Sequence, residues 1–332
     1  MKPWGIMKRG IRFNQFLENR MILVVGSGLL AGALFHDQMV VLKPLVPYLF
    51  FYMTFAVAVN CSSADFKKAV KTPGPLLTII GMLHIALPLL ATLLARTLLP
   101  GEPLLQAGVI LGTAVPIGVA SSIWISISGG NAALGLTAVV ADTVLSPLVV
   151  PAIMLLALGQ SVKFDVAQLM IGLAWMIVLP TLLGMGLHDA SGGRIHRQYK
   201  FVTGPTTKLL LGLVVSINLA VAWDSLHLLR SALAKVLLVV LIMTCSGYLA
   251  GYACAKLARK PPQLVNTYLF AIGMRNITAG LVMALKYFPE LTAIPVVFAI
   301  IFQQPLAAVS HRFLAERPGT SVRSTPLPPA EK

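Results

Sequence analysis

Arg275 stands in the middle of the apolar stretch Leu264–Tyr287, within the string Ala271-Ile-Gly-Met-Arg-Asn-Ile-Thr-Ala-Gly280. An arginine at the centre of a membrane helix costs about 2.5 to 3.5 kcal/mol even on insertion scales, so such residues face a partner or a water-filled cavity. A second ionisable group, Asp142, lies in Val-Val-Ala-Asp-Thr-Val-Leu-Ser-Pro and is the one carboxylate well inside an apolar run. Around these two, Ser121 and Ser122 follow Pro116-Ile-Gly-Val-Ala, Asn276 follows Arg275, and Gln303-Gln304 precede Pro305. Hydroxyls, carbonyls and a carboxylate coordinate a hard cation. A guanidinium with amide donors suits an organic anion. Asp142 has three readings: an ion pair with Arg275, a proton-coupling carboxylate, or a cation ligand beside Ser121 and Ser122. His84 and Asn218 are further polar residues inside apolar runs, read either as substrate contacts or as packing and interhelical hydrogen bonds.

The elements that must position these groups are membrane helices. The chain has 332 residues, of which 57% are hydrophobic and 11% charged, and its mean hydropathy is +0.84. About 20 apolar residues cross a bilayer as a helix, and runs of that length occur at approximately 20–36, 40–60, 74–98, 104–127, 131–158, 166–188, 204–223, 231–256, 262–286 and 290–313. With the N-terminus in the cytoplasm, 19 of the 26 basic residues fall on the inner side, so the positive-inside rule favours both termini inside and an even number of spans. Residues 1–19 read as a basic cytoplasmic segment and 317–332 as a disordered cytoplasmic tail. Met21 onwards, with Ala31-Gly-Ala33, has some features of a signal peptide, but a retained first helix is the expectation. Ser62, Ser63 and Asp65 ahead of Lys67 and Lys68 read as a helix cap and a cytoplasmic anchor.

Two spans carry internal breaks. Pro116-Ile-Gly-Val-Ala-Ser-Ser122 and Ala271-Ile-Gly-Met-Arg-Asn276 each have an Ile-Gly step, an apolar residue and a polar cluster, about half a chain apart. Paired interrupted helices at matching positions of two halves are the sequence pointer to a transporter's binding site. Residues 20–158 and 166–313 then form two five-helix repeats of opposite sense. A break frees carbonyls for cations and aims half-helix N-termini at anions, which is tolerable only where the backbone lines a cavity. The competing reading, that Pro116 and the glycines only kink two packed helices, fits either motif alone better than both together.

Other classes fit poorly. The net charge of +15 is dispersed between apolar runs and forms no basic face for nucleic acid. Cys61, Cys245 and Cys254 form no CxxC pair and no zinc spacing with histidine. HExxH, GxSxG and clustered His/Asp sets, the marks of hydrolytic enzymes, are absent from the sequence.

Ser62-Ser-Ala-Asp-Phe-Lys-Lys-Ala-Val-Lys-Thr-Pro-Gly-Pro75, the Pro116 string and Gly273-Met-Arg-Asn276, in that order, resemble the bile acid sodium symporter family over nearly the whole chain. The resemblance implies a ten-helix fold with a panel domain (spans 1, 2, 6 and 7) and a core domain (spans 3–5 and 8–10), in which spans 4 and 9 cross at their breaks. It also implies organic-anion substrates and two sodium ions at the crossing. Gly118, Ser121, Met274 and Asn276 match the family pattern. Ala271 stands where the pattern has an acidic sodium ligand, Arg275 where it has glutamine, Ser122 where it has asparagine, Leu83 where span 3 has glutamine, and Asp142 where a small hydroxyl is usual. Losing a carboxylate and gaining a guanidinium shifts the local charge by about two units, and sodium ions beside an unpaired arginine repel it strongly in a low-dielectric pocket. The expectation is therefore an all-α secondary transporter of a small organic anion in the cytoplasmic membrane, contacting lipid and no nucleic acid. It has no organic cofactor, and its sodium coupling is altered or lost. Proton-linked or uncoupled uniport, and a sensor of the same fold that does not transport, are the alternatives.

Overall fold

The computed structural model describes residues 3–64, 73–159, 161–228 and 232–315. The expected cap and anchor at Asp65, Lys67 and Lys68 and the tail from 317 lie outside them. Within the described residues all regular structure is helical, and the one strand-like contact is an antiparallel bridge between Ile117 and Arg275.

In chain order the helices are α1 (Pro3–Asn19), α2 (Met21–Leu34), α3 (His36–Val40), α4 (Val46–Ala58), α5 (Pro73–Gly81), α6 (Leu87–Leu98), α7 (Pro103–Ala114), α8 (Ala120–Ile127), α9 (Ala132–Leu158), α10 (Val166–Leu173), α11 (Leu179–Ser191), α12 (Arg194–Leu228), α13 (Leu233–Leu257), α14 (Pro262–Gly273), α15 (Ile277–Tyr287) and α16 (Ala293–Ala315). A π-helical turn, Met82–Ala86, joins α5 to α6, and another, Ala174–Val178, joins α10 to α11. Among the described residues, six helical stretches are long and apolar enough to span a bilayer: Pro73–Leu98, Ala132–Leu158, Val166–Ser191, Gln198–Val221, Leu233–Leu257 and Glu290–Leu314. Leu23–Leu34, Lys43–Ala58, Pro103–Ala114 and Ile277–Tyr287 are shorter apolar helices. The protein is a polytopic membrane protein.

Local chemistry explains many of the helix ends. Asn131 and Asp165 cap α9 and α10 by accepting from the Leu134 and Gln168 N–H groups, and Gly192 ends α11 in the left-handed conformation that an L side chain resists. Two boundaries depart from expectation. The seventh span, expected to begin near 204, belongs to one helix that starts at Arg194, directly after the positive-φ glycines Gly192 and Gly193, and runs on through Gly204 and Pro205. The basic N-terminal segment is the helix α1, packed on α12 through Gly10 against Phe201 and Asn14 against Gly204.

Close helix pairs follow small-xxx-small spacing, in which backbones meet directly. Gly28 and Gly32 set α2 against Gly212 and Ser216 of α12, and Gly247 and Gly251 set α13 against α14. The apolar interior divides into two main clusters: Val115 and Ile277 belong to one, Ile117, Ala271, Ile272 and Met274 to the other. The two helix breaks lie at the seam between them.

Candidate functional site

The first break is written by Pro116. Proline disfavours a helical conformation in the residue before it, and Val115 is extended with φ −60° and ψ 151°. The second break has no proline. Met274 is extended at φ −115° and ψ 117°, and Asn276 restarts the chain as the cap of α15, its Oδ1 accepting from the Ala279 N–H at 3.2 Å.

Unwound backbone in a membrane must find partners, and the two breaks supply one another. Gly118 N–H donates to the Met274 carbonyl at 3.0 Å, and Asn276 N–H donates to the Pro116 carbonyl at 2.7 Å. The approach is so close that a Cβ on Gly118 would lie 2.6 Å from the Arg275 carbonyl oxygen. On the outer edges, side chains from the next helix complete the pattern. Ile117 N–H donates to Asp142 Oδ2 at 2.7 Å. Arg275 N–H donates to Gln303 Oε1 at 2.8 Å, and Gln303 Nε2 donates back to the Arg275 carbonyl at 3.0 Å.

Asp142 is fully buried, and its other oxygen makes a short contact with His84 Nε2. The ion pair with Arg275 weighed from sequence is therefore not formed: among the described residues the charged partner of Asp142 is His84. The Arg275 side chain runs instead toward the α5–α6 turn, where its Nη2 donates to the Leu83 carbonyl at a long 3.5 Å. That carbonyl is available for a local reason. The π turn diverts Leu87 N–H onto Met82 O, and the following residue, Pro88, has no N–H to offer. Arg275 is 6% exposed, and its Nη1 has no hydrogen-bond partner among the described residues.

Beside the crossing lies a cavity of about 730 Å³. Ser122, Asn276 and Gln304 line it together with Asn60, Lys200 and Lys208, and the wall includes Gly118, Arg275 and Gln303. Among the described residues, none that line it is a carboxylate. Gln304 Oε1 accepts from Trp124 Nε1 at 3.2 Å, and Ser122 Oγ donates to the Val119 carbonyl at 2.6 Å. Of the other residues singled out in the sequence, Ser121 is buried with no partner for its hydroxyl among the described residues, and Ala271 and Met274 are buried in an apolar cluster. His84 and Asn218 do not line the cavity. His84 is occupied with Asp142, and Asn218 is buried in α12 with no partner for its amide among the described residues.

Three features were not singled out from the sequence. Lys200 and Lys208 are two of the 19 basic residues that the sequence assigns to the inner side. They reach the cavity because α12 begins before them, and Lys208 Nζ donates to Asn14 Oδ1 at 2.7 Å. The Leu83 carbonyl had a signal in Pro88, since a proline deprives carbonyls of the preceding turn of their donor.

Two interrupted membrane helices that cross through their backbones beside a polar cavity define a membrane transport protein, in which irregular backbone borders the path of a solute. The chain belongs to the sodium bile acid symporter family, whose family model matches residues 46–228. The family is one of transporters, not enzymes. A Bacillus subtilis relative, the uncharacterized protein YbaS, is 32% identical over 289 residues, 87% of this chain and 94% of the relative. A second from the same organism, the uncharacterized sodium-dependent transporter YocS, is 27% identical over 73% of this chain and 74% of its own length. The probable sodium/metabolite cotransporter BASS1, chloroplastic, of Arabidopsis thaliana is 27% identical over 74% of this chain and 60% of its own length.

Proposed function

We propose that this protein is a secondary transporter that carries a small organic anion across the cytoplasmic membrane by alternating access, with Arg275 as a resident positive charge in place of a bound sodium ion. The carrying observation is the buried Arg275 guanidinium, set on the freed carbonyl of Leu83 with no carboxylate in contact among the described residues. A carbonyl released from its helix is a sodium ligand in waiting, and here a guanidinium nitrogen takes it. Both oxygens of Asp142, the one acidic candidate nearby, are engaged by Ile117 N–H and His84. Ala271 offers no carboxylate. The names of the Bacillus YocS protein and the chloroplast cotransporters carry sodium dependence, and these departures are the reason to separate this chain from them.

An anionic substrate fits the cavity wall, which brings Lys200, Lys208 and Arg275 together with amides and hydroxyls and, among the described residues, contains no acidic one. In this reading Asn276, Ser122, Gln303 and Gln304 face the substrate path.

The architecture is ten crossings in two five-helix repeats, 20–158 and 166–313, of opposite sense, with both termini cytoplasmic. Among the described residues, six long apolar helices, two short ones and two helix pairs broken at 115–119 and 274–276 are compatible with that number. The reciprocal hydrogen bonds of the crossing support a near-twofold relation, Gly118 to Met274 on one side and Asn276 to Pro116 on the other. So does the parallel use of Asp142 and Gln303 on the outer edges. Spans 1, 2, 6 and 7 would form a panel and the rest a core that rocks against it.

A proton-linked version of the same transport is favoured by one observation, the contact between His84 and Asp142 one hydrogen bond from the crossing. Uptake of labelled carboxylates into proteoliposomes under separately imposed sodium and proton gradients tests the reading. Uptake that persists in choline or potassium media supports it. Strict dependence on sodium contradicts it, and saturable binding without uptake would replace the transporter by a sensor.

A further inference from the structure

The stripe of α12 that walls the large cavity continues past the point where the cavity ends. Lys200, Gly204, Thr207 and Leu211 line it, spaced three or four residues apart as one helix face requires. Asn218 lies two turns beyond Leu211 on the same stripe, about 10 Å further along the axis. The other side of the helix is taken by α2, where Gly28 meets Gly212 and Gly32 meets Ser216. Asn218 is rotated about 200° from Ser216. It therefore turns away from α2, toward α15 and α16, which also pack on α12.

In this half of the molecule the seam is closed. Residues 214–221 of α12 are all buried, and the helix packs on α15, on α16 and on the turn Glu290–Thr292. At the rim of the seam Lys43 Nζ, just ahead of α4, meets Glu290 Oε1 at 3.5 Å. Asn218 has no exposed surface, and neither its Oδ1 nor its Nδ2 has a partner among the described residues. Thr292, in the turn against α12, is also buried with no partner for its hydroxyl among them. A leucine of similar size would close the seam without the cost of an unsatisfied amide. That cost is accounted for if the seam also opens, because water and a solute then reach the amide.

We infer that Asn218 lines the outward-facing half of the substrate path and donates through Nδ2 to an organic acid in the state opposite to this one. The inference rests on the alternating-access reading, and the Lys43–Glu290 pair is a contact that opening must break. An exposed pair contributes little stability, so its release is easy.

The test uses the full chain with Cys61, Cys245 and Cys254 replaced by alanine, in intact cells. The membrane-impermeant reagent sulfonatoethyl methanethiosulfonate, itself a small organic anion, is added outside. Asn218→Cys is expected to be modified, and at least threefold faster when Lys43→Ala removes the ion pair. Ile217→Cys, buried on a different face of α12, is expected to stay unmodified. No modification of Asn218→Cys with or without Lys43→Ala, or equal modification of Ile217→Cys, overturns the inference. A second measurement, in detergent, needs no opening. Asn218→Leu is expected to raise the thermal unfolding midpoint, because it removes an unsatisfied amide from the closed seam. An unchanged or lower midpoint means that the amide is satisfied there, and also overturns the inference. Uptake into proteoliposomes separates the two readings: uptake with an unreactive Asn218→Cys removes this role alone, and the absence of both removes transport as well.

Discussion

The side chain of Gln303 grips the backbone of Arg275 from both sides, accepting from its N–H at 2.8 Å and donating to its carbonyl at 3.0 Å. An amide is the side chain that offers acceptor and donor together, so it stands in for a strand along the outer edge of the second break. Gln303→Leu leaves two buried backbone groups unpaired, at about 1 to 3 kcal/mol each. We expect the melting temperature to drop by several degrees and uptake to fall at least tenfold, whereas Gln303→Asn, with the same chemistry and one methylene less, should lose less of both. Equal stability of Gln303→Leu and wild type would remove the clasp from the account.

Asp142 does the corresponding task for Ile117, and there the charge and the hydrogen bond are separable. Asp142→Asn keeps an oxygen for the Ile117 N–H, while Asp142→Ala keeps neither oxygen and leaves His84 buried without its partner. Chemical unfolding should place Asp142→Ala below Asp142→Asn by about 1 to 3 kcal/mol, the cost of an unsatisfied buried donor. If the two variants are equally stable, the bond to Ile117 has no structural weight.

The crossing tolerates no side chain at Gly118. A methyl there sits 2.6 Å from the Arg275 carbonyl oxygen, and because the obstacle is backbone, the two breaks must separate. Gly118→Ala should express at reduced stability and lose more than nine-tenths of uptake. Uptake at the wild-type rate would mean that the two breaks are farther apart during transport than at rest.

How much of this was legible in the sequence depends on how local the cause is. Both breaks could be read from Pro116 and from the polar string Arg275-Asn276, since helix termination and capping are written within a few residues. The register of the crossing could not. Matching Ile117-Gly118 to Ile272-Gly273 is three residues out, because the hydrogen bonds relate Gly118 to Asn276 and Pro116 to Met274. Asp142 is exceptional in the sequence for its place in an apolar run, yet its partner stays open there among three readings. His84 lies on a different helix, and the choice between His84 and Arg275 rests on how α5, α9 and α14 pack. Lys200 and Lys208 were read as topology signals, and their place in the cavity wall follows from a helix start that no single residue announces.

The departures at Ala271 and Arg275 should be reversible by substitution. The double variant Ala271→Glu with Arg275→Gln restores the carboxylate and removes the competing cation. Sodium should then raise its melting temperature in a saturable way, with potassium inert. A double variant that folds and remains indifferent to sodium would mean that Leu83 and Ser122, or the altered helix packing, also stand in the way.

The central claim is that Arg275 takes the place of a bound cation, and sodium titration of the purified wild-type protein tests it most directly. Isothermal calorimetry against sodium chloride, with choline chloride as the reference, is predicted to give no saturable heat. Stoichiometric, saturable sodium binding that survives Asp142→Asn would contradict the account, because sodium would then share the site with the guanidinium and need no acid to offset it.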